Sequence, residues 1–65
     1  MMEIKHLLNM DGEIVFGIIN ERLRIECDSL DELSHRYNLD TEAIIEKLKS
    51  VGYHYDPKTN QFKAD

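Results

Sequence analysis

The stretch "SLDELSHRYNLDTEAIIEKLKSVGYHYDPKTNQF", Ser29 to Phe62, decides the fold. Ser29 is placed to accept from the backbone amide of Glu32, whose carboxylate can reach back to the Ser29 amide, the reciprocal arrangement of a capping box. A helix therefore spans residues 29–37, with Leu30, Leu33 and Tyr37 at helical spacing and Ser34 small enough for a neighbouring helix to approach. "NLD" breaks it. Asp40 then caps a further helix over residues 40–51, with Glu42 in its first turn, Ile44, Leu48 and Val51 on its inner face, and Gly52 as a left-handed stop. Beyond Gly52 the chain alternates and turns. Asp56-Pro57 suits the opening of a type I turn and Asn60 tolerates a left-handed exit. With Pro57 to Asn60 as the loop, a hairpin over residues 53–64 sets Tyr55 opposite Phe62 and His54 opposite Lys63. A lone hairpin is marginal in water, so its Tyr53, Tyr55 and Phe62 face is expected to lie on the helices.

Upstream, Asp11 offers an N-cap and Glu13 a first-turn acid for a helix over residues 11–26. At 100° per residue, its apolar positions cover nearly twice the arc of roughly 100° that one packed face requires. Val15, Phe16, Ile19 and Leu23 fall on one side, and Ile14, Ile18 and Ile25 on an adjoining edge. Two arrangements satisfy this: a central helix with both flanks covered by its own chain, or an Ile14, Ile18 and Ile25 edge that meets another protomer. Gly17 inside this helix costs about 1 kcal/mol relative to Ala and implies a close approach of helix or backbone there. Residues 1–10 have no clear period; they read equally as a strand, a helical turn or a loose lead-in. The fold class is mainly α, a three-helix bundle with a C-terminal β-hairpin, in one domain over residues 1–65.

Two short helices joined by a three-residue turn, with Ser34 at the tight crossing and Asn38 at the turn, resemble the helix-turn-helix, here preceded by a helix and followed by a wing-like hairpin. "NERLR" on the first helix, "SLDEL", "IEKLKSVGY" and "YDPKTNQF" are also similar to a family of short bacterial proteins known as a domain of unknown function. That resemblance implies the fold and no activity.

Composition weighs against the nucleic-acid role that the helix-turn-helix resemblance implies. The 65 residues carry 13 acids against 8 Lys and Arg, a net charge of -5, whereas DNA affinity rests on cations that release phosphate counterions. In the helix-turn-helix register the groove-facing residues are Thr41, Glu42, Ile45 and Glu46, with Lys49 further along. Asp28, Asp31, Glu32 and Asp40 surround them, against Arg36 alone. Thr41, Lys47, Lys49, Lys58 and Lys63 would be the contacts of a DNA-binding regulator; the same lysines also suit plain solvation of an exposed face. Ile45 beside Ile44 cannot face inward as well, and an exposed isoleucine ringed by Glu42 and Glu46 suits a protein groove better than DNA. The candidate interaction surface is thus Ile14, Ile18, Ile25, Glu42, Ile45 and Glu46. The expected function is a protein-interaction or adaptor module, with a homodimer among its forms.

No catalytic, metal or cofactor site is expected. His6, His35, His54 and Cys27 show no ligand spacing, the glycines form no phosphate loop, and so short a chain can hardly enclose a substrate pocket. Tyr53, Tyr55 and Phe62 could stack bases, but the helices need them as a lid. Cys27, with no neighbouring base, reads as a small, partly buried residue. One cysteine and no basic, apolar leader point to the cytoplasm, and no apolar run nears the roughly 20 residues of a membrane span.

Overall fold

A computed structural model describes residues 7–65. A short 3₁₀ turn at Leu7–Asn9 leads into α1 (Gly12–Ile25), α2 (Leu30–Tyr37) and α3 (Thr41–Lys49), and the antiparallel strands β1 (Tyr53–Asp56) and β2 (Gln61–Ala64) close the chain. Of the lead-in, residues 1–6 and the expectation for His6 lie outside the described residues. Leu7 is fully buried, and its turn packs against both α1 and α3.

Each helix starts on a side-chain cap. Asp11 accepts from the Glu13 amide at 2.9 Å, Ser29 from Glu32 at 3.0 Å and Asp40 from Glu42 at 3.0 Å. The capping box differs from the expected form in one half: the Glu32 carboxylate takes the Asp28 amide, at 2.8 Å, rather than that of Ser29. Both donors belong to the helix entry, and this choice pins the α1–α2 connection one residue further out. Asn38, at φ 56°, ends α2 in the left-handed region. The α3 helix is shorter than expected, capped at Ser50, and Gly52 at φ +91° turns the chain into β1.

The core lies on one side of α1. Val15, Ile19 and Leu23 are buried against Leu30 and Leu33 of α2, Ile44 and Leu48 of α3, and Phe62 of β2. Burying such side chains stabilises by about 1.5–3 kcal/mol each. The hairpin register pairs Tyr55 with Phe62 and His54 with Lys63, as expected from the turn. Phe62 is buried with its ring 5.4 Å from that of Tyr55, and Tyr53 stacks on Phe16 of α1 at 3.9 Å.

Two asparagines fasten the hairpin to α1. The Asn20 amide donates to the Phe62 carbonyl at 3.0 Å while its oxygen accepts from the Phe62 amide at 2.7 Å, so one side chain occupies the place of a third strand. Asn60, at φ 57°, donates to the carbonyls of Leu23 and Cys27 at 3.1 and 2.9 Å and accepts from the Tyr55 hydroxyl at 2.6 Å. It thereby satisfies carbonyls that the end of α1 would otherwise leave open.

The close approach expected at Gly17 falls instead at Gly12. A Cβ at Gly17 would meet nothing within 4 Å, so none of the described residues makes a close approach there; at Gly12 it would lie 2.5 Å from Val51 Cγ1. The contact falls at Gly12 because the end of α3 crosses the first turn of α1, a tertiary event with no local signal. Gly12→Ala should therefore destabilise by about 1–3 kcal/mol through overpacking, and Gly17→Ala should stabilise dilute protein by about 0.5–1 kcal/mol through helix propensity; urea unfolding checks both signs. Asn60→Gly keeps the turn conformation but strands the two carbonyls, and a loss of about 1–3 kcal/mol is expected in the same assay.

Candidate functional site

The isoleucines that the sequence singles out lie on two surfaces. On α1, Ile14 and Ile25 are 50% and 59% exposed, and Ile18 is half-buried. With Gly17 they line a shallow groove of about 520 Å³, rimmed by Glu13, Glu21 and Arg22. Among the described residues, cover of both flanks by the same chain, one of the two expected arrangements, is not what forms. The other two helices and the hairpin all pack on the Val15, Ile19 and Leu23 side, and among the described residues no further element lies over the opposite face. Glu21 and Arg24 pair across one turn at 3.0 Å beside the groove.

On α3, Ile45 is 39% exposed, with Glu42 exposed one turn before it and Glu46 exposed directly after it. Thr41 does not face outward as a free contact: its hydroxyl donates to Ser34 Oγ at 2.7 Å, and Ser34 in turn donates to the Leu30 carbonyl at 3.0 Å. This buried chain of hydroxyls fastens α2 to α3 at the small residue where the helices meet. Lys63 reaches Asp56 at 3.2 Å, across the hairpin. Lys47 is half-buried, and Lys49 and Lys58 are exposed. The residues of the expected basic strip are therefore drawn partly into local contacts.

Sequence reasoning missed a polar junction between α1 and α2. Arg22 donates to Glu26 at 2.6 Å, the Tyr37 hydroxyl donates to the other Glu26 oxygen, and Arg36 stands 4.0 Å from it. The Tyr37 hydrogen bond, with Arg22 after it, holds the Glu26 carboxyl below its ordinary range despite partial burial. The i, i+4 spacing of Arg22 and Glu26 was a visible signal; the part played by Tyr37, eleven residues on, was not. Beneath this junction Cys27 is 3% exposed, more buried than expected, and burial pushes its thiol up. The thiolate is disfavoured there, so the residue behaves as a core side chain.

A family model described as Domain of unknown function (DUF4250) matches residues 9–62. The chain belongs to that family. The matched segment runs from the end of the 3₁₀ turn to Phe62, so the DUF4250 unit takes in all three helices and the turn of the hairpin. Comparison with curated proteins and with solved structures gave no match. Among the described residues of this DUF4250 chain, no helix is long and apolar enough to cross a membrane.

Because the Glu26 pKa is lowered on folding, the unfolded chain binds this proton more readily. The contribution of Glu26 is present above the ordinary glutamate range and is lost as pH falls through the folded value. Glu26→Gln should accordingly destabilise at neutral pH, and the gap from wild type should close between about pH 5 and pH 3. Urea titrations at stepped pH check this; a gap of constant size would refute it.

Proposed function

We propose that this domain is a non-enzymatic protein-interaction module that docks through the outward face of α1, with Ile45 on α3 as a second contact. The observation that carries the reading is the exposure of Ile14 and Ile25, at 50% and 59%, on a helix whose other side, Val15, Ile19 and Leu23, is buried in the core. Exposed isoleucines grouped with Ile18 around an open Gly17 form a ridge-and-groove surface of the kind that helices use to pack. On α3, Glu42 and Glu46 flank Ile45 and favour a partner with basic residues around an apolar centre.

The helix-turn-helix resemblance supplies the competing reading, a DNA-binding regulator working through α3 and the hairpin. The net charge of -5, the engagement of Thr41 with Ser34 and the Lys63–Asp56 pair all favour the protein-interaction reading over it. A regulator would need these groups free and a net cationic surface.

Replacing Ile14, Ile25 and Ile45 one at a time by a photoreactive phenylalanine analogue, and irradiating the protein in its native cells, tests the proposal. Covalent protein adducts are expected from these positions and not from a control at Lys58. If adducts form at none of the three, or equally at the control, the module reading falls. If the protein instead shifts a mixed DNA duplex at low salt and loses it by about 200 mM salt, the regulator takes its place.

A further inference from the structure

Building on the interaction-module reading, we infer that the occupant of the α1 groove is α1 of a second copy of this chain, packed antiparallel about a two-fold axis. Ile14, Gly17, Ile18, Glu21 and Ile25 recur at three- and four-residue steps and so share one face of α1. The outer isoleucines stand about 16 Å apart along the helix, one near each end, with the glycine between them. A two-fold axis passing between the levels of Ile19 and Asn20 sets Ile14 of each copy opposite Ile25 of the other. An isologous interface requires this self-matching, in which residue i meets j and j meets i.

Charge selects the direction. Asp11 and Glu13 stand at the start of α1, and Arg22 and Arg24 in its last turn. Glu13 precedes Ile14 and Arg24 precedes Ile25, and both lie on the same flank of the face, some 20° apart at 100° per residue. In antiparallel helices like flanks meet, so Glu13 of each copy comes beside Arg24 of the other, twice by symmetry. In a parallel two-fold pair unlike flanks meet, and Glu13 and Arg24 of the two copies stand about 16 Å apart along the axis, so this pairing is lost. Antiparallel packing also aligns each helix dipole favourably with its neighbour.

Gly17 supplies the independent observation. A Cβ there would meet nothing within 4 Å, so no contact among the described residues explains a mid-helix glycine, which the helix carries at a cost of about 1 kcal/mol. In the pair, its missing side chain lets the two helix backbones approach closely. A helix pair of this length buries less than a standard interface, so the dimer forms in the micromolar range.

Sedimentation over a concentration series tests this on the full chain. The expected result is a reversible dimer, with the dissociation constant raised at least tenfold by Gly17→Leu, a change that leaves the monomer folded because its side chain enters open space. Separately prepared I14C and I25C proteins, mixed and oxidised, should give the I14C–I25C disulfide in preference to either self-pair; Cys27 is buried and does not compete. A Gly17→Leu protein that dimerises like wild type, or a preference for self-pairs, overturns the proposal. A chain that stays monomeric while Ile14 and Ile25 photocrosslink to a different protein overturns the second copy and leaves the module reading standing. A monomer without adducts overturns both.

Discussion

The stripe Val15, Ile19 and Leu23 on α1 is the surface against which the remainder of the chain is folded. The 3₁₀ turn, α2, α3 and β2 each send a buried apolar side chain to it or to its neighbours, through Leu7, Leu30, Leu33, Ile44, Leu48 and Phe62. In a chain of 65 residues so little surface can be buried that one helix face has to serve as common core. Among the described residues, concentrating the packing there leaves Ile14 and Ile25 exposed on the opposite face of α1.

Polar side chains do the fastening that a larger core would do elsewhere. A two-stranded hairpin has little stability alone, and here Asn20 pairs with both backbone groups of Phe62 while Asn60 closes the end of α1. Tyr37 and Glu26 join α2 to α1, and Thr41 and Ser34 join α3 to α2. Each junction is a side-chain hydrogen bond at the margin of the core. Buried side-chain polar atoms among the described residues all find partners, as a small core requires, since a single orphan costs about 1–3 kcal/mol.

The proposed interaction uses faces that these junctions leave free. The outward face of α1 is apolar with charged rims, whereas α3 presents Ile45 between acids. Membership in DUF4250 brings no activity with it, so chemistry of the surface is what separates a binding module from a nucleic-acid reader. The separation turns on individual atoms: the Thr41 hydroxyl on α3 points into the Ser34 junction, and Lys63 on β2 pairs with Asp56.

Features set within a few residues of one another were legible in the chain itself. Asp11, Ser29 and Asp40 cap helices because a short oxygen-bearing side chain reaches the amides of the next turn, and the Asp56 to Asn60 turn dictated the Tyr55–Phe62 register. The exposed Ile45 followed from its adjacency to Ile44, because neighbours on a helix diverge by 100°. What only the tertiary structure decided involved partners far apart in sequence: Val51 beside Gly12, Asn20 on Phe62, Tyr37 on Glu26, the bareness of Gly17 and the depth of Cys27. Helical periodicity states how wide an apolar arc is, but not which part of it the chain has elements left to cover. On α1 the Val15, Ile19 and Leu23 side was covered, and Ile14 and Ile25 stand exposed because the described elements all pack on the other side.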